Sequence, residues 1–155
     1  MSPLAVAITV LLTGIVLVLA IPRVLLRRRQ DRLAEKLLAA PDARFKLLTR
    51  AELVRGKYRR APGVLGLSED AIRFEGLFGE TEDLLTSRIQ KIATGKRLAS
   101  GRRLLRLEVL RLTRSSGEDL EFVLSRASAG AWRSHLGLWA VAERKAAMDR
   151  VTPGR

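Results

Sequence analysis

The chain opens on an apolar run that ends in arginine. From Leu4 to Ile21 no charged residue occurs, and only Thr9 and Thr13 interrupt the apolar side chains. As a helix, ~18 residues at about 1.5 Å each cover ~27 Å, close to the hydrocarbon thickness of a bilayer. Val24, Leu25 and Leu26 extend the run, because Arg23 near its end can snorkel toward headgroups, and Pro22 is tolerable at such an interface. Nothing basic precedes the run and no A-x-A site follows it, which argues against a cleaved signal peptide. The pattern predicts a transmembrane anchor over residues 1–26. Arg27, Arg28, Arg29 and Arg32 then predict a single pass through the plasma (inner) membrane, with the N-terminus outside and the rest in the cytoplasm. Residues 27–42 read as a basic juxtamembrane helix. Leu33, Leu37 and Leu38 fall at helical spacing, and Pro41 stops it.

After Pro41 the period changes from 3.6 to 2. Gly63 to Ser68 and Ala71 to Glu75 read as a hairpin, with Leu65, Leu67, Ile72 and Phe74 on the inner face. Arg50 to Arg59 reads as an earlier extended strand, and Glu82 to Thr86 and Ile89 to Ala93 as short segments. Lys96 to Arg103 is a basic loop. Leu104 to Thr113 reads as the longest strand, with Leu105, Leu107 and Val109 sharing one face. Its phase flips at Val109-Leu110, which predicts a bulge there. Leu120, Phe122 and Leu124 supply a partner strand. The end reads as a helix with Ser128 as N-cap and Trp132, Leu136, Trp139 and Ala142 as its apolar stripe. Residues 151–155 read as a disordered tail. The fold class expected is mainly β with α: an N-terminal transmembrane helix, then over residues 43–150 a strongly bent antiparallel sheet of about seven strands capped by a C-terminal amphipathic helix.

Composition adds charge and removes some chemistry. The net charge is +13. Residues up to Arg44 carry +4 of it and residues 45–150 carry +8, so the excess is not confined to the flank of the apolar run. Such a field favours anionic partners. Much arginine with abundant alanine and leucine also fits a bacterial genome rich in G and C. With no cysteine there is no disulfide framework and no thiolate zinc site. The single His135 has no second imidazole or thiol to share a metal. Glu80, Glu82 and Asp83 lack the ligand spacing of a calcium loop. The glycines form no phosphate-cradling pattern, and Ser115 and Ser116 have no base partner. The expectation is a protein that is not an enzyme and has no cofactor or metal. With one tyrosine and four phenylalanines, no aromatic stacking platform accompanies the basic residues, so nucleic acid is not expected as a partner.

Four stretches together resemble a family: "APGVLGLSEDAIRFEGL" (61–77), "LLTSRIQKIATGKRL" (84–98), the strand pair around Leu107 and Phe122, and "WRSHLGLW" (132–139). They look like bacterial pleckstrin-homology-like domains, including the related GRAM type, over roughly Phe45 to Ala147. The arrangement with one N-terminal anchor is similar to small actinobacterial membrane proteins. The resemblance implies a seven-stranded bent sheet capped by a helix, and a module that binds lipids, peptides or proteins without catalysis. Phosphoinositide-binding members carry basic residues around the loop between their first two strands. Here Lys57, Arg59 and Arg60 occupy the matching stretch "GKYRRAPG".

Candidate contacts to anionic lipid or to a partner are therefore Arg27, Arg28 and Arg29, then Lys57, Arg59 and Arg60, then Lys96, Arg97, Arg102 and Arg103. The expected partners are the lipid bilayer, anionic headgroups or a protein. The alternative expectation is an accessory subunit of a transport or envelope complex with no ligand of its own.

Overall fold

The computed structural model describes residues 3–40, 44–56 and 59–137. A long helix α1 (Pro3–Ala39) leads into β1 (Leu47–Arg55), β2 (Arg59–Leu67), β3 (Ala71–Gly76) and β4 (Thr81–Leu85). A single 3-10 turn then leads to β5 (Ile89–Gly95), β6 (Leu107–Arg114) and β7 (Asp119–Ser125). Residues 126–137 form the described part of a second helix, α2. The seven strands make one antiparallel sheet in the order β4-β3-β2-β1-β7-β6-β5. Two meanders, β1 to β4 and β5 to β7, are thus joined through β1 and β7. That seam is short: only Glu52, Leu53 and Val54 pair with Val123, Phe122 and Glu121. Below it the two strands diverge and the sheet curls into a half-barrel.

The concave face holds the main core, including Leu53, Leu65, Ile72, Phe74, Leu110, Leu112, Phe122 and Leu124. Phe74 and Phe122, from opposite sides of the curl, meet with ring centroids 5.6 Å apart. Burying these side chains supplies the main driving force, about 1.5–3 kcal/mol for each large one before the entropy of ordering is set against it. Helix α2 closes one end through Ala129, Trp132 and Leu136, a stripe at helical spacing. The other mouth is spanned by charge. Glu82 of β4 pairs with Arg55 of β1 and, at 2.6 Å, with Arg114 of β6.

A second, smaller core lies on the convex face. Val54, Val109 and Val123 are covered there by Leu98 and Leu104 of the β5–β6 loop, with Leu107 packed alongside. This explains the phase flip in β6. Its pairing with β7 runs from Leu107↔Ser125 to Thr113↔Asp119 without a shift, so the expected bulge is absent; the register shift lies in β5, between Ile89 and Lys91. Val109 and Leu110 are both apolar because both faces of this strand are covered. Leu105, expected in the strand on the face of Leu107 and Val109, lies in the loop before β6 and is 81% exposed. The cap of α2 also differs. Ser125 Oγ accepts the Ser128 N–H at 3.1 Å, so the N-cap is Ser125 and Ser128 sits in the first turn. Trp139, Ala142 and the tail fall outside the described residues.

The N-terminus requires the largest correction. Among the described residues no helix is long and apolar enough to cross a membrane. The transmembrane anchor, its single pass and the inner-membrane location with a cytoplasmic domain are overturned by this finding. What the sequence divides near Leu26 is one element, 37 residues continuous through Pro22. Its C-terminal half is charged and belongs to the domain. Gln30 is buried, and Leu26, Leu33, Ala34 and Leu37 are half-buried at the same helical spacing. This face docks on β1 and β2. The Gln30 amide donates to the Gly63 carbonyl at 2.9 Å and to the Ala51 carbonyl at 3.4 Å. Asp31 pairs with Arg50 at 2.5 Å. The N-terminal half exposes apolar side chains, among them Val10, Leu11, Val16 and Val18.

Candidate binding surface

Strand direction sorts the loops into two ends. The α1–β1 entry, the β5–β6 loop and the start of α2 lie at one end of the strands; the β3–β4 and β6–β7 turns lie at the other. The three basic sets singled out in the sequence separate accordingly.

The β5–β6 loop, residues 96–106, is a built structure. Arg97 and Arg103 form an antiparallel bridge, and the Leu98 N–H donates to Arg102 O at 3.0 Å. The Leu104 N–H donates to Lys96 O at 2.7 Å. Leu98 and Leu104 point into the convex core. The tip is tied down by Glu121, whose Oε1 accepts the Ala99 N–H at 2.8 Å and pairs with Arg111 at 2.5 Å. Lys96, Arg97, Arg102, Arg103 and Arg106 are all exposed, and none makes an ion pair among the described residues. Residues opposite each other in an antiparallel bridge project to the same face, so two guanidinium side chains stand together at Arg97 and Arg103. Like charges placed directly opposite are mutually destabilising.

The set on α1 joins this surface. Arg27 lines a groove of 410 Å³ with Gln30, residues of β1, and Leu107, Ser125 and Ser128. Leu107 follows Arg106 directly, so the basic turn of α1 comes close to the base of the loop. Arg28 and Arg29 are exposed on the same turn.

The remaining set does not join them. Lys57 lies outside the described residues. Arg59 and Arg60 are strand residues of β2 rather than loop residues, and both are matched: Arg59 with Glu80 at 3.5 Å and Arg60 with Glu52 at 3.2 Å. Glu52 and Pro62 are cross-strand partners, so Arg60 reaches Glu52 by the diagonal contact expected between neighbouring strands.

Two residues of the surface escaped the sequence reading, Leu105 and Arg106. The signal was present. Leu104 and Leu105 are adjacent, and in an extended chain adjacent side chains point to opposite faces. No group of His, Asp or Glu among the described residues is arranged to hold a metal. At the far mouth, Arg114 sits between Glu118 and Glu82. Burial disfavours its charge, but hydrogen bonds and attraction from those two carboxylates outweigh it and raise the guanidinium above its ordinary value.

No family model matches the chain, and no curated protein matches it. Among solved structures it is similar to the C-terminal domain of an unknown protein from Leishmania infantum. The identity is 10%, the match covers 62% of this chain and 84% of that one, and the TM-score is 0.50. At that identity the likeness shows a shared curled antiparallel β fold.

Proposed function

We propose that the chain is a pleckstrin-homology-like binding module that docks on an anionic phospholipid surface through its β5–β6 loop. The observation that carries this is the Arg97–Arg103 bridge, which sets two exposed arginines opposite each other with no carboxylate partner among the described residues. Elsewhere on the sheet Arg55, Arg59, Arg60, Arg111 and Arg114 are each matched to a glutamate, and Arg73, exposed without an ion pair among the described residues, has Gly66 and Asp83 rather than a second cation as its cross-strand partners. A phosphate set between Arg97 and Arg103 relieves their repulsion and accepts charge-assisted hydrogen bonds from both. Two meanders in one curled sheet, with a helix over one end, agree with the arrangement that the sequence resemblance implies.

The test is flotation of the full chain with neutral phosphatidylcholine vesicles and with vesicles a quarter phosphatidylserine, at low and high salt. Binding to the anionic vesicles is expected to exceed binding to the neutral ones and to fall with salt. The double variant Arg97→Gln/Arg103→Gln is expected to remove most of that excess. Arg73→Gln/Arg88→Gln, at exposed positions outside the loop, is expected to keep it. Equal binding to both vesicle types overturns the reading.

A second reading has its own observation. Among the described residues nothing covers the apolar flank of α1, and exposed apolar surface of this kind marks an interaction site. An accessory subunit that packs this flank against a larger assembly accounts for it. Co-purification of a partner in fixed stoichiometry, lost when Val10 and Leu11 are replaced by Ser, is the outcome expected of that role.

A further inference from the structure

Resting on the phospholipid reading above, we infer that Leu105 is an apolar wedge that enters the bilayer between headgroups while the flanking arginines hold the phosphates. Leu105 has the highest exposure of the large apolar residues described, 81%, against 67% for Phe78. It stands between Arg103 and Arg106 in sequence, next to a Leu104 that is 7% exposed. Its position is fixed rather than frayed. Leu104 is held in the convex core, the Arg97–Arg103 bridge closes the loop, and Arg126 of α2 donates to the Leu105 carbonyl at 3.4 Å. A leucine that the fold turns outward within a ring of unmatched cations suits an interface with charge at one depth and hydrocarbon just below it. An acidic protein surface satisfies the cations, whereas a bilayer also sets hydrocarbon directly beneath its layer of phosphate charge. Phe78, the next most exposed large apolar residue outside α1 among those described, sits in the β3–β4 turn at the opposite end of the strands. By strand direction it lies away from the β5–β6 loop and serves as the internal control.

The chain has no cysteine, so one introduced thiol can be labelled without background. The full chain carrying Leu105→Cys or Ser116→Cys is labelled with an environment-sensitive nitrobenzoxadiazole probe and mixed with the quarter-phosphatidylserine vesicles. The probe at position 105 is expected to shift to the blue and to be quenched by bromine-labelled acyl chains. At position 116, in the far β6–β7 turn, it is expected to do neither. Leu105→Ser is expected to weaken anionic-vesicle binding roughly five- to tenfold with its salt dependence unchanged, and Phe78→Ser to leave it as it was. A probe at 105 that stays in water while binding remains salt-sensitive overturns the wedge and leaves the charge reading standing. Absence of any anionic preference overturns both.

Discussion

The indole N–H of Trp132 donates to the hydroxyl of Thr49 at 2.8 Å, joining residues 83 positions apart. Trp132 is fully buried, and this bond seats α2 against the start of β1, where β1 has already parted from β7. Thr49→Val keeps the shape and leaves the buried indole donor without a partner. The expected loss is about 1–3 kcal/mol, read as a lower midpoint in urea unfolding, with Thr49→Ser recovering most of it.

Glu82 holds the opposite mouth of the half-barrel. It comes from β4 at one edge of the sheet and pairs with Arg55 and Arg114 across the concave side, with only 14% of its side chain exposed. Replacing it by Gln leaves Arg55 without its carboxylate and Arg114 with Glu118 alone. A cost of about 1–2 kcal/mol is expected, reduced from the fully buried case because Arg55 is 49% exposed. Amide exchange should quicken first in β4, which has a sheet neighbour on one side only.

Two glycines in β2 separate backbone from side-chain tolerance. A Cβ at Gly63 meets the Glu75 carbonyl and, at 2.8 Å, the Gly76 Cα, atoms that cannot give way without parting β2 from β3. A Cβ at Gly66 meets the Phe45 ring at 2.7 Å and the Leu48 Cδ1 at 2.9 Å, both ends of side chains. Gly63→Ala is expected to cost about 3 kcal/mol or more, and Gly66→Ala about 1 kcal/mol, compared by thermal unfolding of the two variants.

Docking of α1 adds one amide and one ion pair to a half-buried apolar face. Gln30→Leu removes both hydrogen bonds to the sheet while keeping apolar contact. A loss of about 1 kcal/mol is expected. Protease cleavage between residues 40 and 46 should accelerate at unchanged unfolding midpoint of the sheet. Cleavage at the wild-type rate excludes Gln30 as the fastening point.

Much of the sheet can be read from alternation, because Leu65, Leu67, Ile72 and Phe74 face one core and their neighbours face away. Alternation fails in β6, where a second core under the loop makes Leu107 and Val109 apolar as well. It fails again at Leu105, which continues the period of Leu107 and Val109 by count but lies outside the strand. The loop was legible as basic. Its shape was not, because Ala99 is held by Glu121, 22 residues away. Arg59 and Arg60 looked available because the strand was expected to begin at Gly63. With β2 beginning at Arg59, their carboxylate partners come into reach across the sheet. The apolar run of α1 was legible as a helix. That the same helix continues to Ala39 and fastens to the sheet was not, since a lone Gln30 between charged neighbours gives no sign of burial.

That continuity makes α1 a shaft rather than a tether. From Gln30 back to Pro3 the helix spans about 40 Å with no loop to absorb rotation. Whatever grips its far end also sets the compass bearing of Arg97, Arg103 and Leu105. One residue inserted between Pro22 and Gln30 would swing them by about 100° about the helix axis, and two would nearly reverse them.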